Sequence, residues 1–69
     1  MTKRQKYRDV ARFLRSEDWE IARTRGSHEI WKSADGTMTL SVVQHSGEVS
    51  AGIVKQLQDV FPNTPKNWN

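Results

Sequence analysis

Residues 19–32 read Trp-Glu-Ile-Ala-Arg-Thr-Arg-Gly-Ser-His-Glu-Ile-Trp-Lys, two β-compatible runs around a Gly-Ser pair. The first run alternates, with Trp19, Ile21, Arg23 and Arg25 on one side and Glu20, Ala22 and Thr24 on the other. With Trp19 and Ile21 on the core, the two arginines are expected to reach past its edge toward the turn. Gly26-Ser27 is that turn, and a second strand starts at His28 and continues through Glu29, Ile30, Trp31 and Lys32. A hairpin of this kind brings two guanidinium groups and an imidazole to one end of a sheet.

Further along the chain, Asp35-Gly36 is a strong short hairpin signal, because both positions tolerate left-handed backbone. A third strand over 37–43 points Met38, Leu40 and Val42 inward and Thr37, Thr39 and Ser41 outward. The expected sheet is a three-stranded antiparallel meander with one covered and one open face. Before the hairpin, Tyr7, Val10, Ala11 and Leu14 form the apolar stripe of a helix running from about Arg4 to Ser16. Arg4, Arg8, Arg12 and Arg15 make a basic stripe beside it. A second helix spans about Ser50 to Phe61, with Ser50 as N-cap and Ile53, Val54, Leu57, Val60 and Phe61 as its apolar face. Pro62 stops it, and the following tail reads as irregular, with Trp68 able to fold back onto the core. The expectation is an α+β domain, helix–strand–strand–strand–helix, with both helices on one sheet face. It occupies residues 1–69 as a single domain, with an ordered core of about 4–61 and a tail over 62–69.

Composition narrows the function. The absence of cysteine removes disulfides, thiolate nucleophiles and cysteine-based zinc sites, and two histidines with scattered carboxylates give no reason to expect a metal or other cofactor. No long apolar run or signal segment is present, so a cytoplasmic protein with no membrane partner is expected. The net charge of +3 is unevenly placed: residues 1–32 carry nine Lys/Arg against five Asp/Glu, and residues 33–69 carry two against three. A basic half favours a polyanionic partner, nucleic acid first, although basic residues also serve simply to solvate a helix.

His28 is the candidate for chemistry. A histidine at a strand start more often only hydrogen-bonds a neighbour, but this one sits beside a turn and near Arg23 and Arg25. Guanidinium forks match phosphate, and imidazole titrates nearest neutrality, which suits proton transfer. Nearby guanidinium groups disfavour imidazolium and so favour a base. RNA cleavage needs a base for the 2′-OH, an acid for the 5′ oxygen and cations for the phosphorane. His45 is the candidate for the second proton-transfer group, and Ser27, Lys32, Arg8 and Arg12 join Arg23 and Arg25 as candidates for holding RNA. Ser27 lacks triad partners, and no phosphate loop or zinc spacing appears.

From about Tyr7 to Phe61 the chain resembles the HicA-type toxins, the small mRNA-cleaving partners of HicB antitoxins. The resemblance lies in Asp18-Trp19 after the first helix, Arg-Thr-Arg-Gly-Ser-His28, the third strand ending Val-Val-Gln-His45, and Ser50-Ala-Gly-Ile-Val-Lys-Gln-Leu57. It implies a double-stranded-RNA-binding-domain-like fold, ribonuclease activity dependent on His28, and a HicB-like antitoxin that covers the active surface. The chain departs from the family at Asp18, usually Gly, at Glu29, often a second histidine, and at Val43 and Ala51, often prolines. A carboxylate at Glu29 is expected to raise the imidazole pKa and repel phosphate. Two other readings stand beside the toxin: a non-catalytic RNA-binding module of the same fold, and a subunit whose basic face meets only an acidic protein.

Overall fold

The computed structural model describes residues 2–69. In chain order the elements are β1 (Gln5–Lys6), α1 (Tyr7–Ser16), β2 (Glu20–Arg25), β3 (His28–Lys32), β4 (Thr39–His45), β5 (Glu48–Val49) and α2 (Ala51–Val60), followed by a 3₁₀ turn over Lys66–Trp68. The α+β class and the central β2–β3–β4 meander agree with the sequence expectation. The sheet, however, has five strands rather than three, in the order β1-β5-β4-β3-β2, all antiparallel. The two additional strands are only two residues long, too short for an alternating pattern to announce them.

β1 also explains why the first helix starts at Tyr7 and not at Arg4. Gln5 and Lys6 pair with Val49 and Glu48, and the Tyr7 amide donates to the Gly47 carbonyl at 2.8 Å. No side chain caps α1; the sheet edge satisfies that first donor instead. At the other end, the Asp18 amide bonds to the Arg15 carbonyl and the Trp19 amide to the Leu14 carbonyl, both at 3.0 Å. This is a Schellman closure, with Asp18 in its left-handed position at φ +64°. α2 is capped as expected, the Ser50 hydroxyl accepting from the Ile53 amide.

The turns differ among themselves. Gly26 alone is left-handed in the β2–β3 turn (φ +61°), the pattern of a II′ turn. Ser46 (φ +52°) and Gly47 (φ +77°) are both left-handed, so the I′ pattern expected at Asp35-Gly36 occurs between β4 and β5. At Asp35-Gly36 only the glycine has positive φ, and residues 33–38 form a longer loop. The Asp35 carboxylate organises it, accepting from the Thr37 amide at 3.0 Å, the Thr37 hydroxyl at 2.8 Å and the Ser33 hydroxyl at 2.7 Å. These bonds, the amide's foremost, hold the Asp35 carboxyl down to about 2. Met38 consequently lies in the loop, 46% exposed, and not on the inward face of the third strand.

The core joins both helices to one sheet face. Val10, Ala11 and Leu14 from α1, Val54 and Leu57 from α2, and Trp31 and Val42 from the sheet belong to one buried cluster. Trp31 lies at its centre with no exposed surface. The segment after Pro62 packs on this core: Trp68 is 2% exposed, meets Phe13 edge-on at 5.4 Å, and its carbonyl accepts from the Lys3 amide. All six aromatic residues belong to the cluster or pack against it.

Candidate functional site

The β2–β3 hairpin carries the candidate site. Its pairing runs Arg25 with His28, Thr24 with Glu29 and Arg23 with Ile30, then shifts so that Ile21 pairs with Trp31. Ala22 is therefore the extra residue of a β-bulge. The bulge corrects the strict alternation read from the sequence. Ile21 still faces the core opposite Trp31, but Arg23 and Arg25 lie on the open face with His28 and Ile30. They do not continue the Trp19–Ile21 side past its edge. The Gly26-Ser27 turn then fixes Arg25 directly across from His28.

Every residue from Ala22 to His28 is exposed, so this end of the hairpin stands clear of the helices. Arg23, Arg25, His28 and Ile30 line an open concavity of about 310 Å³. It offers two fixed cations, one imidazole and one half-buried apolar side chain. Such a set has the chemistry to bind phosphate and to transfer a proton beside it. Ser27 sits in the adjoining turn, its carbonyl accepting from the Gln44 amide at 3.3 Å.

The other candidates lie elsewhere. Lys32 is at the opposite end of β3, between Glu20 and Thr39. Arg8 and Arg12 are exposed on α1, which packs on the covered face; Arg12 borders a groove with Phe13 and Trp68. Arg4 precedes β1, so it leaves the basic helical stripe, and pairs with Glu48 at 3.5 Å. Arg15 lies over the Trp31 ring at 5.4 Å, a cation–π contact. His45 ends β4 and lines a separate concavity with Arg4, Glu48 and Ser50. The structure thus gathers Arg23, Arg25 and His28, and leaves His45 outside their pocket.

Glu29, expected to disturb the imidazole, belongs to the other face of the sheet. Adjacent strand residues point to opposite sides, and its Oε1 accepts from the Tyr7 hydroxyl and, at 3.2 Å, from the Trp31 indole N–H. Burial, and then the bond to this carboxylate, push the Tyr7 hydroxyl up to about 12. Glu29 serves as a polar clasp between α1 and β3. Sequence reasoning also left Ile30 out of the site, although its two-residue spacing from His28 is the signal that both share a face.

Among the described residues no group of three or more histidine or carboxylate side chains converges in a way that could hold a metal ion. No helix there is long and apolar enough to cross a membrane. A sequence model of the family described as HicA toxin of bacterial toxin–antitoxin systems matches residues 7–59, from the start of α1 to near the end of α2. Comparisons with curated proteins and with solved structures gave no match.

Proposed function

The chain belongs to the HicA toxin family, and from that premise and the hairpin geometry we propose that it is a metal-independent endoribonuclease acting on mRNA in the cytoplasm. In this reaction the 2′ oxygen attacks phosphorus and the 5′ oxygen leaves, giving a 2′,3′-cyclic phosphate and a 5′ hydroxyl. His28 either removes the 2′ proton or protonates the leaving oxygen. Arg23 and Arg25 stabilise the added charge on the phosphorane oxygens. Ser27 contributes at the turn, and Lys32, on the same face at the far end of β3, acts as a more distant phosphate contact; Arg8 and Arg12, on the helix that covers the other face, take no part in this reading. The partner is a HicB-like antitoxin that covers the same open face.

The observation that carries this reading is the pairing of Arg25 with His28 across the strand, with Arg23 two residues away on the same face. A second reading, a non-catalytic RNA-binding module, is favoured by the place of His45 in a different concavity, since the hairpin pocket then holds one imidazole where the reaction uses two proton-transfer groups. Incubating the partner-free protein with RNA in EDTA, as wild type and as His28→Ala, separates them. Loss of cleavage by about a hundredfold or more in a folded variant supports the ribonuclease. Equal cleavage removes His28 from the chemistry. Binding by both with cleavage by neither, also in a translating extract, selects the binding module.

A further inference from the structure

The pocket of Arg23, Arg25 and His28 has an apolar member that phosphate chemistry does not use. Ile30 pairs with Arg23 across the hairpin and stands two residues from His28 on the same face. It is only half-buried, on the side of the sheet that the helices leave open. A site for phosphate alone has no use for an aliphatic side chain beside its guanidinium groups and imidazole.

We infer that Ile30 is the contact surface of a subsite for one unstacked base of single-stranded RNA, with Arg23 and Arg25 holding the phosphates beside it. Three observations support this assignment, which rests on the RNA reading above. The concavity of about 310 Å³ is at the small end of ligand pockets, roughly 300–1,000 Å³, and suits one nucleotide rather than a helix. It is formed within one hairpin, and single-stranded bases are the ones free to splay into such a recess. Proteins that bind single strands usually stack bases on aromatic rings, but here all the aromatic residues are engaged with the core. Ile30, together with the His28 imidazole and the planes of the two guanidinium groups, is what the pocket offers for a base to lie against.

The test uses a short single-stranded RNA with 2′-fluoro substituents, which lacks the attacking hydroxyl and stays intact on wild-type protein. Its affinity is compared with that of the same oligonucleotide in which successive bases are removed one at a time, leaving abasic sugars. One abasic position should weaken binding by about fivefold, the loss expected from about 40 Å² of apolar contact. That base dependence should shrink in Ile30→Thr, while the salt dependence of binding stays as in wild type. Ile30→Tyr, which keeps a strand-forming residue, should bind more tightly and retain the dependence. Binding with no abasic effect, or an effect unchanged in Ile30→Thr, overturns the subsite and leaves the RNA reading standing. No binding of any oligonucleotide overturns both.

Discussion

Ile21 and Arg23 are two residues apart on one strand and face opposite sides of the sheet. Ile21 pairs with Trp31, on the core side, and Arg23 with Ile30, on the open side. Side chains at i and i+2 of a regular strand share a face. Ala22, the extra residue between them, breaks that rule, so one short strand both closes the core at one end and arms a cationic pocket at the other.

The bulge makes two single-residue deletions distinguishable. Removing Ala22 leaves Ile21 beside Arg23 in a regular strand, with Ile21 opposite Trp31 and both arginines still on the His28 face. Removing Thr24 also regularises the strand and keeps Ile21 opposite Trp31, but moves Arg23 to the position opposite Glu29 on the covered face. Both variants should fold with similar melting temperatures. Only the Thr24 deletion should flatten the salt dependence of RNA binding, by about the 0.7 in slope of one single-strand phosphate contact. Equal slopes would show that Arg23 makes no phosphate contact.

The same bulge shows where sequence reasoning stops. The helices, the Gly26-Ser27 turn and the inward positions of Leu40 and Val42 were legible because period and turn chemistry are local. The side on which Arg23 and Arg25 stand was not, because one bulged residue inverts every later side chain on the strand and is set by pairing with β3. Likewise, Glu29 looked like a neighbour of His28 because it is adjacent in sequence. Only Tyr7, from a distant helix, and Trp31 reveal its task as a clasp. β1 and β5 exist through their pairing with each other and with β4, and nothing in four residues signals that.

The clasp predicts an alkaline transition. Tyr7 is the sole tyrosine, so phenolate absorbance reports it alone. Its hydroxyl is raised from 10.0 to about 12, and a group whose folded pKa is raised stabilises the fold fully below its unfolded pKa. Its contribution is then lost as pH rises from about 10 through about 12. The phenolate titration of folded protein should be displaced well above that of the unfolded chain. The difference in melting temperature between wild type and Tyr7→Phe should shrink across the same window. A titration centred near 10 in folded protein would mean that the Tyr7–Glu29 contact does not form in solution.

Trp68 predicts that the C-terminal segment is structural. Its ring is 2% exposed and sits against Phe13, which also meets Phe61 edge-on at 5.0 Å. Truncating a buried tryptophan to alanine costs about 3–5 kcal/mol, a large part of the roughly 5–15 kcal/mol that a domain has. Trp68→Ala should therefore lower the urea midpoint sharply or leave the chain unfolded at 37 °C. An unchanged midpoint would mean that the segment does not dock.

Asp18 predicts a gain. It occupies the left-handed position of the Schellman closure after α1, at φ +64°, where the Cβ of an L-residue meets a carbonyl and costs about 1–2 kcal/mol. Glycine escapes that cost but loses more chain entropy on folding, which takes back part of the difference. The Asp18 side chain is exposed and makes no hydrogen bond within the described residues, so nothing in its packing opposes the exchange. Asp18→Gly should raise stability by about 0.5–1 kcal/mol, or several degrees in melting temperature for a domain of this size. Asp18→Ala, which keeps the Cβ and removes only the carboxylate, should show no comparable gain. If both variants stabilise equally, the cause is relief of charge repulsion from Glu17 and Glu20 and not the backbone conformation.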